Sequence, residues 1–123
     1  MNTLLGVVVA HGDLAEALVH AVEEITGIKD ALVPVSNRGC DRVSLEERIL
    51  DAVAGRPGLV FVDLPTGSCF LAARHGIARH PDMRVVAGVN LSMLVDFVFH
   101  REAGLVAAEE RARNVGGQAI AGR

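Results

Sequence analysis

A chain of 123 residues and 13.0 kDa has room for one closed core and not for two; with 50% hydrophobic and 22% charged residues it reads as a single globular domain and not as a disordered chain. Only 3% is aromatic, four Phe with no Trp or Tyr, which argues against carbohydrate-stacking platforms, single-strand nucleic-acid readers and aromatic cages, since each needs π faces. Twelve basic against 15 acidic residues give a net charge of -3, so no basic field exists to neutralise a phosphate backbone, and nucleic acid is not an expected partner.

Leu4 to Ala10 is a β-branched run without polar alternation, the pattern of a strand buried on both faces of a parallel sheet, and it stops at His11-Gly12. Asp13, three residues before Glu16, resembles a capping box, and Leu14, Leu18, Val22 and Ile25 follow at helical spacing until Gly27. Ala31 to Val35 predicts a short strand, and Ser36 to Arg42 a polar loop. Ser44 and Glu47 open a second helix carrying Leu45, Ile49, Leu50 and Val53, which Gly55 to Gly58 ends. Leu59 to Asp63 is a third buried strand. Ser68 to Arg79 is helical with Phe70, Ala73 and Ile77 inward, Arg84 to Val89 is a fourth strand, and Asn90 caps the next helix. That helix, Leu91 to about His100, is apolar nearly all round, which suggests a homodimer contact. Ala103 to about Val115 forms a last amphipathic stretch before a Gly-rich tail.

The longest apolar run falls far short of the roughly 18 residues of a membrane span and lacks signal-peptide flanks. Cys40 and Cys69 are too few for a disulfide framework or a four-ligand zinc site, and His75 and His80, five apart, point away from one another unless the helix has already ended between them, so no metal is expected. A cytoplasmic protein with free thiols and no cofactor fits best.

Strands alternating with helices imply right-handed crossovers and an open, mostly parallel sheet with helices on both faces, whose ligands bind at the carboxyl ends of the strands. His11, Asp63 and Asn90 each follow or close a buried run there, so one rim gathers them. A carboxylate beside a histidine accepts a hydrogen bond from one ring nitrogen and leaves the other free as nucleophile or base, which makes Asp63 the natural orienting acid for His11. The turn Leu64-Pro65-Thr66-Gly67-Ser68 leads into a helix whose unpaired amides and positive dipole end suit a phosphoryl group. Asn90 and Ser68 are also ordinary N-cap types, and His11 alone would pass for a loop residue. Cys69, near a helix N-terminus and within reach of His11, admits a Cys-His hydrolase or redox reading beside that of a buried, inert thiol. A P-loop motif is absent.

An apolar strand ending in His11-Gly12, Val62-Asp63 followed by Gly67-Ser68, and Val86-Ala87-Gly88-Val89-Asn90-Leu91-Ser92-Met93-Leu94 together resemble the IIA domain of the mannose-family bacterial phosphotransferase system, in order and spacing from about residue 4 to residue 100. The resemblance implies a flavodoxin-like, four-stranded parallel sheet, often completed by an edge strand swapped within a homodimer. It also implies that His11 takes a phosphoryl group from the phosphocarrier HPr and passes it to a IIB partner that phosphorylates a sugar during uptake. Asp63 would orient His11, Ser68 would donate to the phosphoryl oxygens with Gly12, Thr66 and Gly67 around them, and Asn90 would add a rim contact. The domain would be free-standing, with no IIB domain after residue 123, and at most peripheral to a membrane transporter. A regulatory phospho-acceptor without a transporter and a dihydroxyacetone-kinase phosphodonor subunit are the alternatives. The family commonly has Gly-Gly-Ser-Pro-x-Asn after the acid, where this chain has Thr66-Gly67-Ser68-Cys69-Phe70-Leu71; this departure leaves partner choice open and the nucleophile untouched.

Overall fold

Four short apolar runs pair into one parallel sheet in the computed structural model, which describes residues 3–122. The strands are β1 (Leu5–Ala10), β2 (Leu32–Ser36), β3 (Gly58–Val62) and β4 (Met83–Ala87), in the order β2-β1-β3-β4. The helices are α1 (Leu14–Thr26), α2 (Arg42–Val53), α3 (Ser68–Ile77), α4 (Leu91–Phe99) and α5 (Leu105–Gln118). Each parallel pairing requires a helical crossover, and the direction of travel reverses after β2, so α1, α4 and α5 cover one face while α2 and α3 cover the other.

Side-chain alternation along the central strands splits the core into two layers. Val8, Ala10, Leu59 and Phe61 pack under α1, α4 and α5, whereas Val7, Val9, Val60 and Val62 pack under α2 and α3. The chain's scarcity of aromatics is concentrated at one point, where Phe61 and Phe97 meet edge to face with centroids 5.1 Å apart, over Gly6. Pro34 lies in β2, an edge strand, where the missing N–H costs no ladder bond on the outer side.

The helices differ from the sequence expectation in phase and in caps. α1 buries Ala15, Val19 and Val22, leaving Leu14 and Ile25 exposed, because the turn at Gly12 sets the direction in which the helix starts and spacing alone cannot encode it. Asp13 makes no side-chain cap: its backbone lies outside the extended region that capping needs, and its carboxylate pairs with Arg38 instead. α2 begins earlier than Ser44, at a cap in which Asp41 accepts from the Ser44 N–H at 2.8 Å, and Gly58 opens β3 instead of ending α2. α3 buries Cys69, Ala72, Ala73 and Gly76, with Phe70 and Ile77 at the margin. A small-residue face wins there because α2 approaches closely: a Cβ on Gly76 would stand 3.6 Å from Glu46 Cγ and 3.7 Å from Leu50 Cδ2.

α4, apolar nearly all round, lies between α1 and α5 as well as on the sheet and buries Met93, Leu94, Phe97 and Val98, while Phe99 stays exposed. α5 continues through the expected Gly-rich tail, setting Ala108, Ala112 and Gly116 against the rest of the fold. No fifth strand, and so no swapped edge strand, occurs among the described residues; α5 lies beside β4, where Arg84 meets Glu109 at 3.1 Å. Among the described residues no helix is long and apolar enough to cross a membrane.

Candidate functional site

β1 and β3 are neighbours in register, Val9 opposite Val62, and the topology switches direction between them. Their next residues beyond the ladder are therefore forced to one rim, which is where crevices form in open α/β sheets. The ladder continues one step as the Asp63 N–H donates to the Val9 carbonyl at 3.3 Å, which fixes Asp63 beside the start of the His11 turn.

His11 Nδ1 lies 2.7 Å from Asp63 Oδ2, and the same oxygen accepts the His11 backbone N–H at 3.0 Å. The other carboxylate oxygen accepts the Leu64 N–H at 2.9 Å. The Asp63 side chain is 9% exposed, and burial pushes its carboxyl up, but the ring and N–H of His11 together with the Leu64 N–H outweigh that and hold it below the usual value. An ionised carboxylate only accepts, so Nδ1 carries the ring proton and the lone pair is on Nε2. With 44% of its side chain exposed, His11 offers that nitrogen on an open rim, where another protein's group can reach it.

Gly12, at φ +61, makes the left-handed turn that lets the chain leave β1 for α1. Its N–H is committed to Asn37 Oδ1 at 3.1 Å and its carbonyl to the Ser36 hydroxyl at 2.7 Å, so it shapes the turn. Arg38 adds a 2.6 Å pair with Asp13. Ser36, Asn37 and Arg38, expected only as part of a polar loop, brace the His11 turn from the end of β2. The available signal was that β2 adjoins β1 and ends at the same rim.

Thr66, Gly67 and Ser68 are exposed on the turn after Asp63. Gly67 stands at φ +92, ψ −170 as the N-cap of α3 and brings no side chain to the cap, which leaves the first-turn amides of α3 without a side-chain acceptor. Asn90 is turned elsewhere: its oxygen caps α4 by accepting from the Met93 N–H at 3.0 Å, and its amide donates to the Gly116 carbonyl at 2.9 Å.

Cys69 is buried, with Sγ 3.7 Å from His11 Nδ1. Burial, then the Asp63 charge, push its thiol up to about 11, which removes the thiolate that a Cys-His hydrolase or redox site would need. His11, Asp63 and Cys69 nevertheless bring three donor atoms within 4.8 Å of one another, a grouping unlike the expectation of no metal ligands, whereas α3 ends at Ile77, between His75 and His80.

A histidine oriented by a carboxylate at the switch point of a flavodoxin-like sheet, beside an uncapped helix N-terminus, defines a protein equipped to handle a phosphoryl group. The family described as the PTS system fructose IIA component (EIIA-man) matches residues 6–114. The chain belongs to this mannose-type IIA family of the phosphotransferase system, whose members take part in the phosphoryl relay of sugar transport. It is 32% identical over 93 residues to the PTS system sorbose-specific EIIA component of Klebsiella pneumoniae, covering 72% of this chain and 68% of that one. In fold it is similar to the mannose/sorbose-specific IIA subunit from Enterococcus faecalis, with TM-score 0.87, 21% identity, and 100% and 96% of the two chains covered. A phosphotransferase component EIIA from Streptococcus agalactiae gives TM-score 0.89 at 22% identity over 97% and 96%.

Proposed function

We propose that the chain is a protein-histidine phosphoryl carrier, in which His11 Nε2 accepts a phosphoryl group from HPr and later yields it to a IIB component. The 2.7 Å contact of Nδ1 with Asp63 carries this reading, because it selects the tautomer whose Nε2 is nucleophilic. As the new N–P bond forms and the donor's bond breaks in line, positive charge develops on the ring, and the Asp63 carboxylate stands against it. Charge on the phosphoryl oxygens falls to the α3 first turn and the exposed Ser68 and Thr66 hydroxyls. The transfer consumes neither metal nor redox equivalents, since it is a displacement between two positioned nitrogen nucleophiles.

The same reading includes a homodimer, supported by a shallow groove lined by Ile25, Leu91, Val95 and Phe99, with Ile25 and Phe99 59% and 58% exposed. Sedimentation at micromolar concentration tests it, and a monomer would remove it. The carrier reading is tested by incubating the chain with phosphoenolpyruvate, enzyme I and HPr and following an acid-labile adduct. The expected result is one phosphoryl group per chain, lost in His11→Ala. An unlabelled wild type, or a His11→Ala protein that labels equally, overturns it.

A further inference from the structure

We propose that His11 Nδ1, Asp63 Oδ2 and Cys69 Sγ form a binding site for a thiophilic divalent metal, zinc being the natural occupant, and that a bound metal switches off phosphoryl acceptance at His11. The binding half stands on geometry alone; the switching half rests on the carrier reading above.

Three donors of the types zinc prefers converge here from three segments: the end of β1, the end of β3 and the first turn of α3. Tetrahedral zinc with ordinary bond lengths holds its sulfur and nitrogen ligands about 3.6 Å apart and its nitrogen and oxygen ligands about 3.4 Å apart. Sγ and Nδ1 already stand at 3.7 Å. Nδ1 and Oδ2, at 2.7 Å around a shared proton, need to open by about 0.7 Å when a metal replaces that proton. A small rotation of the half-exposed imidazole supplies it, whereas Asp63 is held in place by the Leu64 N–H. Three protein ligands leave a fourth position for solvent, as in zinc sites that remain open.

The inhibition follows from proton balance. In the metal-free protein the ring proton sits on Nδ1 and the Nε2 lone pair is free. A metal bonded to Nδ1 takes that lone pair's counterpart, so the ring proton moves to Nε2, while the thiol loses its proton to solvent as the metal–sulfur bond forms. No electron is transferred. Nε2–H has no lone pair with which to attack phosphorus, and Asp63 is withdrawn into the metal's coordination, so both requirements for transfer fail together.

The test uses the full chain, unphosphorylated, titrated with cobalt(II) alone and then with zinc. One equivalent of cobalt should bind with a thiolate-to-cobalt absorption band that zinc displaces; Cys40→Ala should retain the band, and Cys69→Ala and Cys69→Ser should abolish it with zinc affinity at least tenfold weaker. In the phosphorylation assay, saturating zinc should slow wild type at least tenfold and leave Cys69→Ala at its metal-free rate, with a chelator restoring the wild type. Circular dichroism confirms that both Cys69 variants are folded. A missing band, a band lost in Cys40→Ala but kept in Cys69→Ala, or equal zinc inhibition of wild type and Cys69→Ala overturns the proposal. A cobalt band in a chain that never labels, even without metal, upholds the site and refutes the carrier reading instead.

Discussion

Replacing Asp63 by Asn isolates the charge and acceptor roles of this side chain while keeping its shape. Asp63 accepts three hydrogen bonds, from His11 Nδ1 at 2.7 Å, the His11 N–H at 3.0 Å and the Leu64 N–H at 2.9 Å. An Asn there has one acceptor oxygen and one NH2. With the oxygen towards His11, the ring bond survives as a neutral one and the NH2 confronts the Leu64 N–H. With the NH2 towards His11, it meets a backbone donor and drives the ring proton to Nε2, where the lone pair is needed. Either way the productive tautomer loses a hydrogen bond to an ionised partner, about 1.5–3 kcal/mol. That corresponds to phosphoryl transfer about 10- to 150-fold slower at His11. The assay is single-turnover transfer from phosphorylated HPr, quenched in alkali to preserve the acid-labile product, alongside circular dichroism to confirm the fold. A folded Asp63→Asn chain transferring within twofold of wild type would refute the orienting role.

Gly6→Ala places a Cβ 2.5 Å from Leu32 Cδ2 and 2.8 Å from Phe97 Cε2, inside a packed layer, so thermal denaturation should show about 1–3 kcal/mol of lost stability with transfer retained. Gly67→Ala meets no neighbour within 4 Å, yet forces an L residue to φ +92, ψ −170; either about 1–3 kcal/mol of strain appears in denaturant melts, or the turn relaxes and transfer slows. Wild-type rates and stability in that variant would show that the turn is not needed as built. Below about pH 4 stability should fall: Asp63, and Glu109 held between Arg84 and Arg113, both have carboxyls lowered in the fold despite burial. Groups with depressed folded values stabilise above their unfolded values and cease to do so as pH drops through the folded ones. Melts flat from pH 6 to pH 3 would contradict this.

The sheet was legible because unbroken apolar runs such as Leu59 to Val62 have no stable placement except between two helical layers. His11 and Asp63 were legible for a related reason: each is the first polar residue after such a run, and adjacent parallel strands bring those ends together. Helix phase was not legible. α1 carries two overlapping apolar stripes, and α3 uses Cys69, Ala72, Ala73 and Gly76, a face of small residues chosen by the closeness of α2, a distance that no local pattern records. Asn90 shows the same limit at one side chain: its place after β4 suggests the rim, whereas its amide is satisfied by α5, an element 26 residues away in sequence.

Thr66-Gly67-Ser68-Cys69 stands where the resemblance to the family implies Gly-Gly-Ser-Pro. Of the family's two adjacent glycines, only the position of Gly67 has positive φ here, and Thr66 occupies a backbone conformation open to ordinary residues. Thr in place of Gly therefore costs the turn nothing, and it adds a hydroxyl on the exposed rim. The loss of Pro for Cys69 is of a different kind, since the new side chain turns inward, fills the layer under α3 and ends 3.7 Å from the nitrogen that Asp63 also holds. Cys69 thus changes what lies behind the His11 ring and leaves the ring's outward nitrogen as it was. A partner docking on the rim would sense Thr66 and Leu71, both exposed, whereas a small cation competing for the ring proton would sense Cys69.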